Sequence, residues 1–342
     1  MSDLQQIQHK SPIRILALDG GGVRGALTAL ILQDMEDYLN AKDEKDIPLG
    51  QRFDLIVGTS VGAIIGLSLA SGKSAKESAE YCIGGKEEDK PTGKIQRIFG
   101  RKKCCLRWLF CTAKHDSNEL KKALDGWFGN TRLNELGPES IAHGPHVLVT
   151  STALAKPSLR TWKSPLKPEY AARANQKLAD VAYASAAAPT IFHAQTKETF
   201  DAPNADGGLC ANNPAMVAII EVLRMGKELD QIRLVSVGTG IPCGMPYDPN
   251  KIGIGGGHRW LFNRQPMAIP LIELMMQAQS DLAQSQAKFM LEKKGLYLRI
   301  DRRLDFSMTL DELNKVNLLK AYSNLNNEEH EMLIKIFSIP TS

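Results

Sequence analysis

The sequence predicts an α/β fold, a three-layer sandwich in which a central, mostly parallel β-sheet lies between two layers of helices. Three observations predict it. Short apolar runs recur along the chain, helical segments fall between them, and the first two runs end in glycine-rich turns. Strands that alternate with helices need crossover connections, which set the strands parallel and cover the sheet with helices.

The first run, IRILAL (13–18), leads into glycines and then into ALTALILQDMEDYL, whose apolar residues recur at helical spacing. This is a strand, a tight loop and a helix. FDLIVG (53–58) and VGAIIGLSLASG (61–72) repeat the unit, with Gly72 closing the helix. HVLVTSTAL (146–154), IRLVSVGTG (232–240) and LYLRI (296–300) read as further buried strands. Helices AMVAIIEVLRMG and IPLIELMMQAQSDLAQSQAKFML lie between the later ones. Two regions depart from the pattern. Residues 84–116 are rich in Lys, Arg and Gly, and from SMTLDELNKVN onward the chain reads as two polar amphipathic helices packed on the outside.

The 342 residues are 43% hydrophobic and 23% charged, ordinary globular values for one large domain or two small ones. A net charge of +4 gives no overall footprint for a nucleic-acid polymer. The N-terminal MSDLQQIQHKSPIR lacks the apolar core of a secretory signal, and no stretch reaches the ~18 apolar residues of a spanning helix. The expected location is the cytoplasm, with the membrane touched from its inner surface. The six cysteines fit no disulfide framework in a chain of this length. Cys104, Cys105, Cys111 and His115 crowd together without a C-x-x-C pair, so reduced thiols and no metal are expected.

ILALDGGGVRG (15–25) sets Gly20, Gly22 and Gly25 in the G-x-G-x-x-G spacing of a dinucleotide loop. That reading demands an acidic residue at the end of the next strand to hold the ribose. The next strand ends instead in Gly58-Thr59-Ser60-Val61-Gly62, a G-x-S-x-G nucleophile elbow. Side chains at Gly58 or Gly62 would clash where the chain turns from strand to helix, and the turn exposes a serine at the helix's positive end. Acyl transfer then needs backbone N–H groups aimed at an oxyanion, and Gly20, Gly21 and Gly22 are free of side chains for that purpose. Arg24 adds charge or orients the loop. A serine also needs a base. Asp206-Gly207-Gly208, after ASAAAPTIF, supplies a carboxylate in a loop, although an Asp-Gly pair by itself is an ordinary turn.

DGGGVRG, GTSVG, ASAAAPTIF and DGG stand in the order and rough spacing of the patatin-like phospholipases, and over about residues 13–240 the chain resembles that family. The resemblance implies a lipid acyl hydrolase of phospholipase A type with a Ser-Asp dyad. Ser60 would be nucleophile and Asp206 base, with Gly20, Gly21, Gly22 and Arg24 as oxyanion hole and Gly58, Gly62, Gly207 and Gly208 as structural glycines. No cofactor is implied. A catalytic domain over 1–300, carrying the basic 84–116 insert, and a helical extension over 301–342 are the expected divisions. The chain also resembles soluble bacterial members that act in antiphage defence once a cyclic nucleotide activates them. The Gly253–Arg259 loop and residues 94–107 are the cationic candidates for such a site, and a homo-oligomer is compatible with this reading.

Two alternatives stay open. A Ser-Asp-His esterase or lysophospholipase would recruit His258 or His330, with His193 as a packed or hydrogen-bonded residue, and an inactive nucleotide-binding scaffold would need none of them. The stretch KIQRIFGRKKCCLRWLF (94–110) interleaves basic and apolar residues. It is either a solvated loop or a membrane contact, with Arg101, Lys102 and Lys103 on anionic headgroups and Trp108 and Phe110 at the acyl boundary.

Overall fold

The computed structural model describes residues 11–83, 113–138, 144–166, 174–196, 200–244 and 270–338, with short pieces at 94, 98, 260, 263–264 and 267–268. Seven strands form its main sheet: β1 (Ile13–Leu18), β2 (Leu55–Thr59), β3 (His146–Ala153), β4 (Ser158–Lys163), β5 (Asn204–Asp206), β6 (Ile232–Val237) and β7 (Leu296–Ile300). Their order across the sheet is β4-β3-β2-β1-β6-β7, with β5 also paired to β3. The four central pairings are parallel. β4 and β5 pair antiparallel with β3, so the sheet is mixed at that edge.

The alternation of side chains along β1 separates the two helical layers. Ile13, Ile15 and Ala17 face one core with α7 (Ala215–Arg224) and the end of α8 (Pro270–Leu291). Leu16 and Leu18 face the other, larger core, with α1 (Gly25–Asp43), α2 (Val61–Ala70), α3 (Ala75–Ile83), α4 (Ser117–Phe128) and α5 (Leu178–Ala186). A period of two forces this division, because successive side chains leave opposite faces. Every residue of α2 is buried, as expected of a helix that is apolar all round.

The C-terminal residues join the larger core. Val316–Tyr322 is a 3₁₀ helix rather than the expected amphipathic α-helix, and α9 (Asn327–Phe337) follows it. Leu319, Leu333 and Ile336 are fully buried. Asn326 caps α9 reciprocally with Glu329, and Glu329 also receives the Arg302 guanidinium at 2.7 Å.

The parallel strands end in register. Leu18 lies opposite Gly58 and Val237, and Val237 lies opposite Ile300. The loops leaving β1, β2, β6 and β7 therefore converge along one edge, where sites of open α/β sheets form. Between α5 and α7, the short helix α6 (Gly208–Ala211) leaves β5 on that side. Among the described residues, no helix is long and apolar enough to cross a membrane.

Candidate active site

Ser60 stands at the turn from β2 into α2 with φ 55° and ψ −124°, a conformation costly for a residue with a Cβ. Both glycines of the motif are sterically required. A Cβ at Gly58 would lie 2.6 Å from the Ala63 Cα, and one at Gly62 would lie 2.4 Å from the Leu18 carbonyl oxygen. The Ser60 N–H donates to Ser185 Oγ at 2.8 Å. Ser185 belongs to the ASAAAP stretch, which thus braces the turn.

β5 brings the carboxylate to the serine. Ser60 Oγ donates to Asp206 Oδ2 at 2.7 Å, and the Gly208 N–H donates to Oδ1 at 2.6 Å. Asp206 is the last residue of a strand and not part of a loop as expected, because Ser151 of β3 pairs with it. Three residues are too few for a periodic signal. Its N–H donates to the Ala187 carbonyl at 3.0 Å, and Thr152 Oγ1 donates to its carbonyl at 2.8 Å. A Cβ at Gly207 would lie 2.6 Å from the Thr150 carbonyl oxygen, and one at Gly208 would lie 3.0 Å from Asp206 Oδ1. Burial raises the Asp206 carboxyl to about 6, against the opposing hydrogen bonds from Gly208 and Ser60. Both hydrogen-bond partners are neutral.

The structure divides the four residues expected to hold an oxyanion. Gly20 is corrected: its N–H already donates to the Asn212 carbonyl at 3.0 Å, so it is not a free donor. The Gly21 and Gly22 amides have no acceptor among the described residues, and Gly22 lines a pocket with Ser60 and Asp206. Gly22 adopts φ +58°, and a Cβ there would lie 2.1 Å from the Leu310 carbonyl oxygen. That oxygen accepts the Val23 N–H at 2.8 Å. Arg24 is buried, and the charges of Glu273 and Asp301 oppose the lowering of its pKa by burial. It does not line the pocket beside Ser60.

Asp19, the carboxylate beside the glycines, is an anchor. Arg299 of β7 binds it with both terminal nitrogens, at 2.9 and 2.6 Å, and reaches Asp301 at 2.8 Å. Burial holds Asp19 at about 6 despite Arg299, and Asp301 adds to the rise. The sequence carried a signal for this pair, since an arginine inside the apolar run LYLRI needs a buried counter-ion.

Apart from Ser60 and Asp206, the pocket wall is apolar or glycine. It includes Ile64, Leu120, Ile191, Phe192, Met276 and Leu310. His330 does not line it; its ring stacks on Tyr38 with centroids 3.9 Å apart. His193 is exposed, and its N–H donates to Ser117 Oγ at 2.9 Å. His258, the Gly253–Arg259 loop and the residues expected to meet a membrane (Arg101, Lys102, Lys103, Trp108 and Phe110) lie outside the described residues. Of the 94–107 stretch, only Lys94 and Ile98 are described. Cys82, Cys210 and Cys243 carry free thiols.

A serine on a strained strand-to-helix turn, hydrogen-bonded to a buried carboxylate above an apolar pocket, defines an α/β protein built around a nucleophile elbow. The sequence profile of the patatin-like phospholipases matches residues 16–219, and the chain belongs to that family. It is similar to a cGAMP-activated phospholipase of Escherichia coli (strain TW11681), with 32% identity over 70% of this chain and 65% of that one. A cGAMP-activated phospholipase of Vibrio cholerae is 33% identical over 70% of this chain and 68% of its own length. Patatin-like protein 1 of Oryza sativa subsp. indica is 28% identical over 84% of this chain and 73% of its own. The chain thus spans about two thirds of the length of the bacterial relatives.

Proposed function

We propose that the chain is a lipid acyl hydrolase of phospholipase A type, working through Ser60 and Asp206. The observation that carries the proposal is the 2.7 Å hydrogen bond from Ser60 Oγ to Asp206 Oδ2 at a strained elbow. Oγ attacks the ester carbonyl carbon while its proton passes to Asp206. The tetrahedral oxyanion is met by the Gly21 and Gly22 amides, and Arg24 orients their loop. The intermediate collapses, and the lysophospholipid alcohol leaves with the proton from Asp206. Water then gives a proton to Asp206 and attacks the acyl-serine, and that proton passes from Asp206 to Ser60 Oγ as the fatty acid leaves. A carboxyl near 6 is a stronger base than an ordinary aspartate and stays ionised at neutral pH. The apolar pocket suits an acyl chain.

The Escherichia coli and Vibrio cholerae relatives are cGAMP-activated phospholipases. On that likeness we extend the proposal to activation by a cyclic nucleotide in an antiviral role, with membrane phospholipid as substrate through peripheral contact. The test is mass spectrometry of mixed liposomes incubated with purified protein, with and without cGAMP. Free fatty acid and lysophospholipid are expected, and Ser60→Ala should abolish them while the chain folds normally. Retention of more than a few per cent of the hydrolysis by Ser60→Ala would sink the reading.

A further inference from the structure

Leu310 touches the glycine loop from outside the family motifs. The Leu310 carbonyl accepts the Val23 N–H at 2.8 Å and occupies the space a Gly22 side chain would need. The next residue, Asp311, is 5% exposed. Its Oδ2 accepts from Lys114 Nζ at 2.6 Å and bonds His115 Nε2 at 2.9 Å, while Thr309 Oγ1 lies 3.4 Å from Oδ1. The Lys114 and His115 amides donate to the carbonyls of Thr190 and Ile191 at 2.8 and 3.0 Å, and Ile191 lines the pocket.

The planar peptide ties the Leu310 carbonyl to the Asp311 N and Cα, so anchoring Asp311 restricts where that carbonyl can point. Two basic side chains gathered on one buried carboxylate are a poor way to gain stability, since apolar residues of similar volume often do as well. Their arrangement does impose a single geometry. We propose that Asp311 is a positioning residue for the oxyanion donors: held by Lys114 and His115, it sets the Leu310 carbonyl that holds Val23, and so orients the Gly21 and Gly22 amides. The inference rests on the acyl-hydrolase reading above.

The test uses Asp311→Asn, which keeps the volume and removes the charge. The double variant Lys114→Met/Asp311→Asn stands beside it, because the single change leaves an ammonium buried without this carboxylate. For a short, water-soluble ester, kcat should fall about 10- to 100-fold with KM within about twofold, as when a transition-state contact is loosened. Affinity for an alkyl trifluoromethyl ketone, whose serine adduct carries an oxyanion, should fall by a similar factor, and affinity for the matching fatty acid should hold. A folded variant of either kind with kcat within about twofold of the parent overturns the proposal. So does a parallel loss of ketone and fatty-acid affinity, which would mark general damage to the pocket. If ester hydrolysis by the parent survives Ser60→Ala, the acyl-hydrolase reading itself has failed, and this inference falls with it by a separate route.

Discussion

Asp206 and Asp311 are both buried aspartates beside the same glycine loop, and their surroundings push them in opposite directions. At Asp206 burial wins, because its partners are a serine hydroxyl and a backbone amide, and the carboxyl rises to about 6. At Asp311 burial also pushes upward, but the hydrogen bond from His115 and the charge and hydrogen bond of Lys114 outweigh it and hold the carboxyl down at about 2. Both are buried aspartates; they differ in their partners, a hydroxyl and a backbone amide at Asp206 against an ammonium and an imidazole at Asp311. A carboxylate without a cation keeps its affinity for protons and suits a base. One clamped by basic groups has lost that affinity and suits an anchor.

The largest effect that would break this contrast is at Asp206. Asp206→Asn should cost ester hydrolysis roughly a thousandfold or more, because no other base is hydrogen-bonded to the serine among the described residues. The same change should stabilise the chain. The folded-state carboxyl, about 6, lies above its ordinary 3.8, so its contribution is intact below the lower value and is lost as pH rises through the higher. A shift of that size corresponds to about 3 kcal/mol at pH 8. Melting curves should therefore show Asp206→Asn more stable than the parent at pH 8 and equal to it near pH 4. Asp311 has the opposite sign: its stabilising share is present above 3.8 and is lost as pH falls toward 2. A variant that stays active, or melts lower at pH 8, would show that Asp206 is an anchor as well.

A smaller effect is expected in the basic stretch 94–110, which lies apart from the glycine, serine and aspartate motifs in the sequence. Neutralising Arg101, Lys102 and Lys103 together should weaken binding to anionic vesicles by up to ~3 kcal/mol, more at low salt than at high. Replacing Trp108 and Phe110 by Ser should weaken it in a salt-insensitive way. Soluble-ester turnover should hold in both, since Ser60, Asp206 and the glycine loop are left unchanged. Co-sedimentation indistinguishable from the parent in every variant would make 94–110 an ordinary loop.

Much of this architecture was legible in the residues. The runs of β1, β2, β3, β6 and β7 stood out because strands of a mostly parallel, helix-covered sheet are rich in aliphatic residues, even where β7 closes one edge. Ser60 was legible because an elbow needs glycine at fixed offsets, whereas Asp206 stood out only through the family resemblance, since an Asp-Gly pair alone is an ordinary turn. β4 was harder: it is a mostly polar edge strand with a single buried residue, Trp162, and β5 has only three residues. The loss of Gly20 as a donor was hidden in its bond to a backbone carbonyl 192 residues later, that of Asn212. Leu310 acts through its carbonyl oxygen, which any residue would supply, so its identity carried no signal. Arg299 was readable in retrospect as a charge in an apolar run, but its partner Asp19 lies 280 residues away.

The central claim is that Asp206, raised by burial, is the base for Ser60, and the pH dependence of kcat/KM on a short soluble ester tests it most directly. The reaction needs the ionised carboxylate, so the rate should climb with a single ionisation near pH 6 and then stay level to about pH 8. Asp206→Asn should abolish that limb together with the activity. A midpoint near the ordinary 3.8 would contradict the account, and so would a near-6 limb that survives in residual Asp206→Asn activity, which would move the base to a histidine.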